Sequence, residues 1–211
     1  MRRQKQTAAG FTLIEVLVTL AIIAIGLLGL GAFQVRVQQA GLEAYNRAQA
    51  LVILSAMVDR INANRLTAPC YATTTPAGSP YLGYVDANHV GAISCSGFGD
   101  VNTQQLAVND LNEWDQMLQG AKEAMAGNAT GGALGARGCI SFDAATSTYT
   151  LAVAWQGTVE TAVPTVNCGN NAYGSESLRR VVWATFKPAA LLLDCRPITS
   201  GAPPHAAAGS R

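Results

Sequence analysis

One uninterrupted apolar block near the start of the chain constrains its fold more than any other feature. Residues 11–33 read FTLIEVLVTLAIIAIGLLGLGAF and contain a single charge, Glu15. A helical block of this length can span a bilayer, whereas the apolar core of a secretory signal peptide is usually about 7–15 residues long. Arg2, Arg3 and Lys5 precede the block. We therefore expect a single-pass membrane protein with a short cytoplasmic N-terminus and an exported remainder.

The overall composition excludes several classes of protein. The chain has 211 residues, of which 49% are hydrophobic and 13% are charged, and its formal net charge is +1. A net charge this close to zero excludes the usual basic nucleic-acid-binding protein, and we expect no nucleic-acid partner. The high apolar content argues against a mainly disordered chain, and the length allows one domain with an appendage.

Glu15 is the anomaly within the apolar block. A carboxylate costs on the order of 2.5–3.5 kcal/mol at the centre of a bilayer and less near its edge. One interpretation is an interfacial side chain that reaches back to the headgroups. The other is a positive partner, such as the α-amino group that proteolysis before Phe11 would create. An amine and a carboxylate about 4 Å apart attract by roughly 4 kcal/mol at an effective dielectric of 20.

The string GFTLIEVLV at residues 10–18, after a short basic leader, resembles the class III signal of type IV prepilins. The resemblance implies that a prepilin peptidase cleaves after Gly10 and then N-methylates Phe11. It also implies that Glu15, the fifth residue of the mature chain, pairs during assembly with the N-terminal amine of a neighbouring subunit.

Further segments are similar to the minor pilins of the type IV pilus modification protein PilV family. The implied function is that of a minor pilin in type IV pilus assembly, with other minor and major pilins and the inner-membrane assembly platform as partners. The implied location is the bacterial inner membrane first and the pilus at the cell surface later. A minor pseudopilin of a type II secretion system is the alternative. The similar segments are residues 24–30, Gln34, and residues 138–140, 152–157 and 179–182.

The periodicity beyond the apolar block continues the first helix. No proline occurs before Pro69, and four apolar residues recur at three- and four-residue spacing. This pattern predicts one helix over residues 12–64 with an apolar stripe on its second half. The four residues are Leu51, Leu54, Val58 and Ile61.

A second helix and three strands are predicted after a loop region over residues 66–102. The strands are expected at residues 139–142, 149–155 and 178–186, with a hairpin turn over 143–148. The long first helix and the antiparallel strands together indicate an α+β fold, which agrees with a pilin-like architecture. The apolar repeat of the second helix comprises Ala107, Leu111, Trp114, Leu118, Ala121 and Met125, with Gly127 ending it.

This organisation divides the chain into four parts. Residues 1–10 are the expected cleaved leader, and residues 11–33 form the half of the first helix that crosses the membrane and assembles. Residues 34–196 form the exported pilin-like domain, and residues 197–211 are predicted to be a disordered tail because they are rich in Pro, Ala, Gly and Ser.

All five cysteines lie in the part of the chain that is expected to be exported. An oxidising compartment favours disulfides, and an odd number leaves one cysteine over. Sequence does not fix the connectivity; we favour Cys70 with Cys95 and Cys139 with Cys168, which leaves Cys195 free or intermolecular.

The residues that would indicate an enzyme or a metal site are sparse. The chain has two histidines, His89 and His205, and it contains no C-x-x-C pair. We expect no catalytic residues, no metal site and no cofactor, and we expect His89 to be a solvated loop residue. The three acidic residues Asp110, Glu113 and Asp115 are predicted to lie on the solvated face of the second helix, away from its apolar repeat.

Overall fold

A computed structural model describes residues 10, 12–120, 124–125, 128–129, 133 and 135–188 of the chain. It has two long α-helices, α1 and α2, two short 3₁₀ helices and a four-stranded antiparallel sheet. The prediction of a pilin-like α+β fold is confirmed. In chain order the elements are α1 (Leu13–Ala63), a 3₁₀ helix (Arg65–Tyr71), β1 (Leu82–Gly83), α2 (Val101–Leu118), β2 (Ala124–Met125), β3 (Asn128–Ala129), β4 (Arg137–Asp143), β5 (Thr148–Gln156), a 3₁₀ helix (Glu176–Leu178) and β6 (Arg179–Phe186).

Helix α1 runs without interruption for 51 residues and matches its prediction to within one residue at each end. Its buried stripe differs from the predicted one, because Leu51 is 48% exposed. Leu54 and Ile61 are buried as expected, and Ile53 and Met57 join them. The face of α1 that packs on the core is therefore rotated relative to the stripe that the spacing of large apolar residues predicted.

Helix α2 begins after a polar capping residue and ends before a glycine, so its apolar repeat does not set its bounds. Asp100 caps its start: the side chain accepts a hydrogen bond from the Thr103 backbone N–H at 2.9 Å, and Thr103 Oγ1 accepts one from the Asp100 N–H. Gly120, at φ +71°, follows the last turn, and its N–H donates to the Met117 carbonyl. The predicted extension of the helix to Met125 is wrong, because Met125 lies in β2; Ala121 lies outside the described residues.

The sheet has the strand order β1-β4-β5-β6, and all of its neighbouring strands are antiparallel. The three predicted strands are confirmed as β4, β5 and β6, with a tight turn between the first two. In that turn the Asp143 carboxylate accepts hydrogen bonds from the Ala145 N–H at 2.9 Å and from the Thr146 hydroxyl at 2.7 Å. An Asx-type bond of this kind is a frequent way to close a hairpin.

The core lies where α1, α2 and one face of the sheet meet. Trp114 of α2 is fully buried, and its indole N–H donates to the Ile53 carbonyl of α1 at 3.0 Å. The sheet contributes Ile140, Leu151 and Val153 to the same cluster. The apolar contacts and this one polar contact together fix α2 against both the long helix and the sheet.

Two disulfides tie irregular segments to this core, and they are the two pairs that the sequence analysis favours. Cys70 of the first 3₁₀ helix bonds to Cys95, with their Cα atoms 5.3 Å apart. Cys139 of β4 bonds to Cys168, with a Cα separation of 5.7 Å. Both separations lie in the usual range for disulfides. Cys195 lies outside the described residues.

The close approach of α2 to β4 generates a stability prediction at Gly138. A methyl group on this residue would overlap Leu118 and lie 2.5 Å from Trp114 Cη2. We expect Gly138→Ala to lower the free energy of unfolding by about 1–3 kcal/mol, measured by denaturant unfolding in detergent. Gly91→Ala is the matched control, since nothing lies within 4 Å of the corresponding position there. Equal stability of the two variants would contradict this packing.

The disulfide between Cys139 and Cys168 generates a second prediction. Replacing both residues by serine should lower the free energy of unfolding by about 2–4 kcal/mol, because the crosslink restricts the unfolded chain. Non-reducing peptide mapping of the unsubstituted protein should recover the two peptides linked. Cys195→Ser serves as the control and should leave stability unchanged. Recovery of Cys139 as a free thiol in the unreduced protein would refute the pairing.

Candidate assembly site

The described part of the N-terminal signal is extended before the helix begins. Thr12 has extended backbone angles, and α1 starts at Leu13. Gly10 is exposed, with no heavy atom within 4 Å of the position a Cβ would occupy. Phe11, the predicted site of methylation, lies outside the described residues. Within the described part of the chain, a side chain at this position would therefore meet no neighbour.

Glu15 lies in the first turn of α1, and its backbone N–H donates to the Thr12 carbonyl at 3.1 Å. A carboxylate at this position interacts favourably with the partial positive charge of the helix N-terminus. The residue is exposed, and no side-chain partner for it occurs among the described residues. Its carboxylate is thus available to a group supplied by another molecule.

The first thirty residues of α1 are bare. Every residue from 12 to 42 is exposed, including a continuous series of large apolar side chains. An 18-residue window of this helix has a mean hydropathy of 2.7 and none of it is buried, so it is long and apolar enough to cross a membrane. Because soluble monomers rarely expose so large an apolar surface, lipid or other helices must cover it.

An ion pair joins α1 to the sheet just beyond this bare segment. Arg180 Nε of β6 donates to Glu43 Oε1 at 2.6 Å, and Nη1 donates to the Ser177 carbonyl at 3.0 Å. The second Nη group donates to the Val159 carbonyl. One guanidinium thereby holds the helix, the start of β6 and the loop after β5 together. The sequence analysis did not identify this pair, since 137 positions separate its members.

A second arginine organises the loops on the opposite side of the sheet. Arg137 of β4 is 4% exposed, and its guanidinium lies 4.4 Å from the ring centre of Tyr84 and 4.5 Å from that of Tyr173. It also donates to Asp86 Oδ2 at 3.1 Å. Cation–π and charge-assisted contacts of this kind compensate for burying the charge.

Burial and hydrogen bonding also shift the pKa values of the ionisable neighbours of Arg137. Burial is the main cause that raises the pKa of Tyr173 to about 12, although the nearby guanidinium opposes it. Partial burial of Asp86 favours a higher pKa, but hydrogen bonds from Tyr81, the Asn88 N–H and Arg137 outweigh it and lower the pKa. The network therefore stays as neutral tyrosine and ionised aspartate across the physiological pH range.

The predicted solvated position of Asp110 is wrong. Asp110 is only 9% exposed. Its Oδ2 accepts a hydrogen bond from the Tyr71 hydroxyl at 2.6 Å, and its Oδ1 lies 3.2 Å from Arg60 Nη1. Burial and this hydrogen bond raise the pKa of Tyr71. Glu113 remains more exposed and pairs with Arg60 at 2.8 Å. The 3₁₀ helix packs along this side of α2, whereas the sequence prediction allowed for only one covered face.

The same correction applies to Asp115 and His89 on the other side of α2. His89 is half-buried rather than solvated, and its Nε2 lies 2.9 Å from Asp115 Oδ1. That oxygen also accepts a hydrogen bond from the Gly83 N–H at 2.6 Å. The three groups fasten β1 and the following loop to α2. Among the described residues, no group of three or more His, Cys, Asp or Glu side chains is placed to hold a metal ion.

Comparison with known protein families gives a match at the N-terminus. Residues 5–31 match the family model of the prokaryotic N-terminal methylation motif. No curated protein and no solved structure gives a significant match to this chain. The motif contains Gly10 and Glu15, and it belongs to structural proteins that a prepilin peptidase processes and that assemble with other pilins. The chain therefore carries the prepilin signal of type IV pilin-like proteins, on a pilin-like α+β fold.

Proposed function

We propose that this protein is a minor pilin that takes part in type IV pilus assembly, as a processed subunit of the filament or of its priming complex. The observation that carries the proposal is a methylation motif that runs directly into an uncovered apolar helix, whose other half is the core helix of a folded domain. A chain built this way can be anchored in a bilayer and then exchange lipid for the apolar helices of neighbouring subunits.

Three segments that resemble minor pilins of the PilV family support the choice of a pilus over a secretion system. They lie in β4, in β5 and the residue after it, and in β6, so they form adjacent parts of one sheet. A pseudopilin of a type II secretion system would share the N-terminal motif but need not share this sheet. Co-purification with sheared pili, compared with co-purification with secretion-system components, distinguishes the two.

The chemistry proposed for the motif follows from its exposed groups. Hydrolysis of the peptide bond between Gly10 and Phe11 removes the basic leader, residues 1–10, and gives Phe11 a new α-amino group. That nitrogen loses a proton and takes a methyl group from an electrophilic methyl donor bound by the peptidase, whose leaving group departs with the bonding electrons. That amine remains cationic near neutral pH. The exposed carboxylate of Glu15 on an adjacent subunit is its proposed partner, and water exclusion between packed helices strengthens their attraction.

Processing at Gly10 is the first test of this proposal. Mass spectrometry of the protein isolated from membranes should show the loss of residues 1–10 and the gain of one methyl group on Phe11. Gly10→Val should leave the chain inserted but unprocessed, because the added branched side chain obstructs the peptidase site. Gly91→Val, at a similarly uncrowded glycine of the exported domain, is the matched control. An intact N-terminus in the unsubstituted protein would contradict the proposal.

Glu15 provides the second test. Glu15→Val removes a charge that is costly in the membrane, so insertion and processing should be unchanged. Its recovery in sheared pili, relative to the membrane pool, should fall roughly tenfold or more, since about 1.4 kcal/mol of lost attraction is worth a factor of ten. Glu15→Asp keeps the charge with a shorter reach and should be intermediate.

A polar residue one turn away controls for the effects of simple substitution. Thr19→Val removes only a hydroxyl that donates to the Val16 carbonyl within the same helix, so its incorporation should be normal. If Glu15→Val is incorporated as well as the unsubstituted chain, Glu15 is a tolerated interfacial charge with no role in assembly.

A further inference from the structure

A groove lies between α1 and the loop after β5, at the base of the domain. It has a volume of about 330 Å³, and both charged and apolar side chains line it. We call it the junction groove. Its main lining residues are Arg36, Gln39 and Glu43 of α1 and Thr158, Val159 and Thr161 of the loop.

The position of the junction groove along α1 fixes its height above a membrane. The helical segment from Leu13 to Phe33 is about 30 Å long, which equals the thickness of the hydrocarbon core. Arg36 then lies about 4.5 Å beyond the hydrocarbon, and Gln39 about 9 Å beyond it. The headgroup layer on each side is roughly 5–8 Å thick. The lower end of the groove is therefore level with the lipid headgroups.

The side chains at this level suit a phospholipid surface. Arg36 forms no ion pair within the described part of the chain, whereas Arg180, above it, is paired with Glu43. A guanidinium is a preferred ligand of phosphate. On the adjoining loop, Val159 lines the same groove as Arg36 and is 54% exposed, and Val163, farther along the loop, is 57% exposed.

We propose that the junction groove rests on the phospholipid headgroups of the exported leaflet, with Arg36 bound to lipid phosphate and Val159, which lines the same groove, in contact with the headgroup layer. The inference rests on the membrane-spanning helix of the proposed function. Glu160, between the two valines, is exposed and does not line the groove. The bound state holds the domain upright on the bilayer until assembly withdraws the helix.

Quenching by brominated lipid tests the contact directly. The full chain, reconstituted in vesicles of phosphatidylcholine and phosphatidylglycerol brominated near the headgroup, would carry Val159→Trp as a reporter. We expect its added fluorescence to be quenched. Val101→Trp is the control at another exposed valine. Val101 lies near Asn64, whose side chain bonds to the Thr103 carbonyl, so it is roughly 46 Å beyond the hydrocarbon and should not be quenched.

A second pair of variants tests the cation. Arg36→Gln, made in the Val159→Trp chain, should reduce the quenching, whereas Arg47→Gln should not, because Arg47 is exposed on the same helix roughly 16 Å farther from the membrane. Excess inorganic phosphate should leave the quenching unchanged if lipid, and not free phosphate, occupies the site.

The outcomes separate this inference from the proposed function. A reporter at Leu30→Trp, inside the apolar segment, shows whether α1 is inserted at all; if it is not quenched, the membrane anchor itself fails. If it is quenched and the reporters at positions 159 and 101 are equally unquenched, the groove does not contact lipid and the inference is wrong. A blue shift at position 159 without quenching would mean that protein covers the groove, which also overturns it.

Discussion

The structure depends on one constraint: the first half of its longest helix is exposed and buries none of its apolar side chains within the described protein. From Leu13 onward the apolar side chains of α1 have no cover within the described protein, while the second half of the same helix is the centre of the core. Hydrophobic burial is the dominant favourable term in folding, so a surface of this kind is stable only in contact with lipid or with other apolar surfaces. The chain is thus folded at one end and dependent on its surroundings at the other.

The folded end is organised around one large, fully buried side chain. Trp114 wedges α2 between α1 and the sheet, and Gly138 leaves just enough room for that ring on β4. Two carboxylates lie at the borders of this core: Asp110 binds the first 3₁₀ helix on one side of α2, and Asp115 binds His89 and β1 on the other. Removing one partner leaves the other charge unpaired, which is unfavourable. These contacts therefore fix the position of the neighbouring segments on the two sides of α2.

Local patterns in the sequence predicted much of this fold. The bounds of α1, three strands and their hairpin turn depend on periodicity and turn residues within a few positions of one another. The end of α2 was overestimated, although Gly120 carried a signal for it. The environments of His89, Asp110 and Asp115 could not be predicted, because their partners lie 26 or more positions away and are set by how loops pack on both flanks of the helix. The ion pair of Glu43 with Arg180 was missed for the same reason.

That ion pair also determines how a pulling force enters the domain. Along α1, the hydrogen bond from Arg180 to Glu43 comes before the first fully buried residue, Ala50. Tension applied through the apolar segment therefore loads this charged contact in shear before it reaches the apolar core. Because Arg180 also holds the loop after β5, part of the load passes to the edge strand and that loop, and the rest continues along α1 into the core.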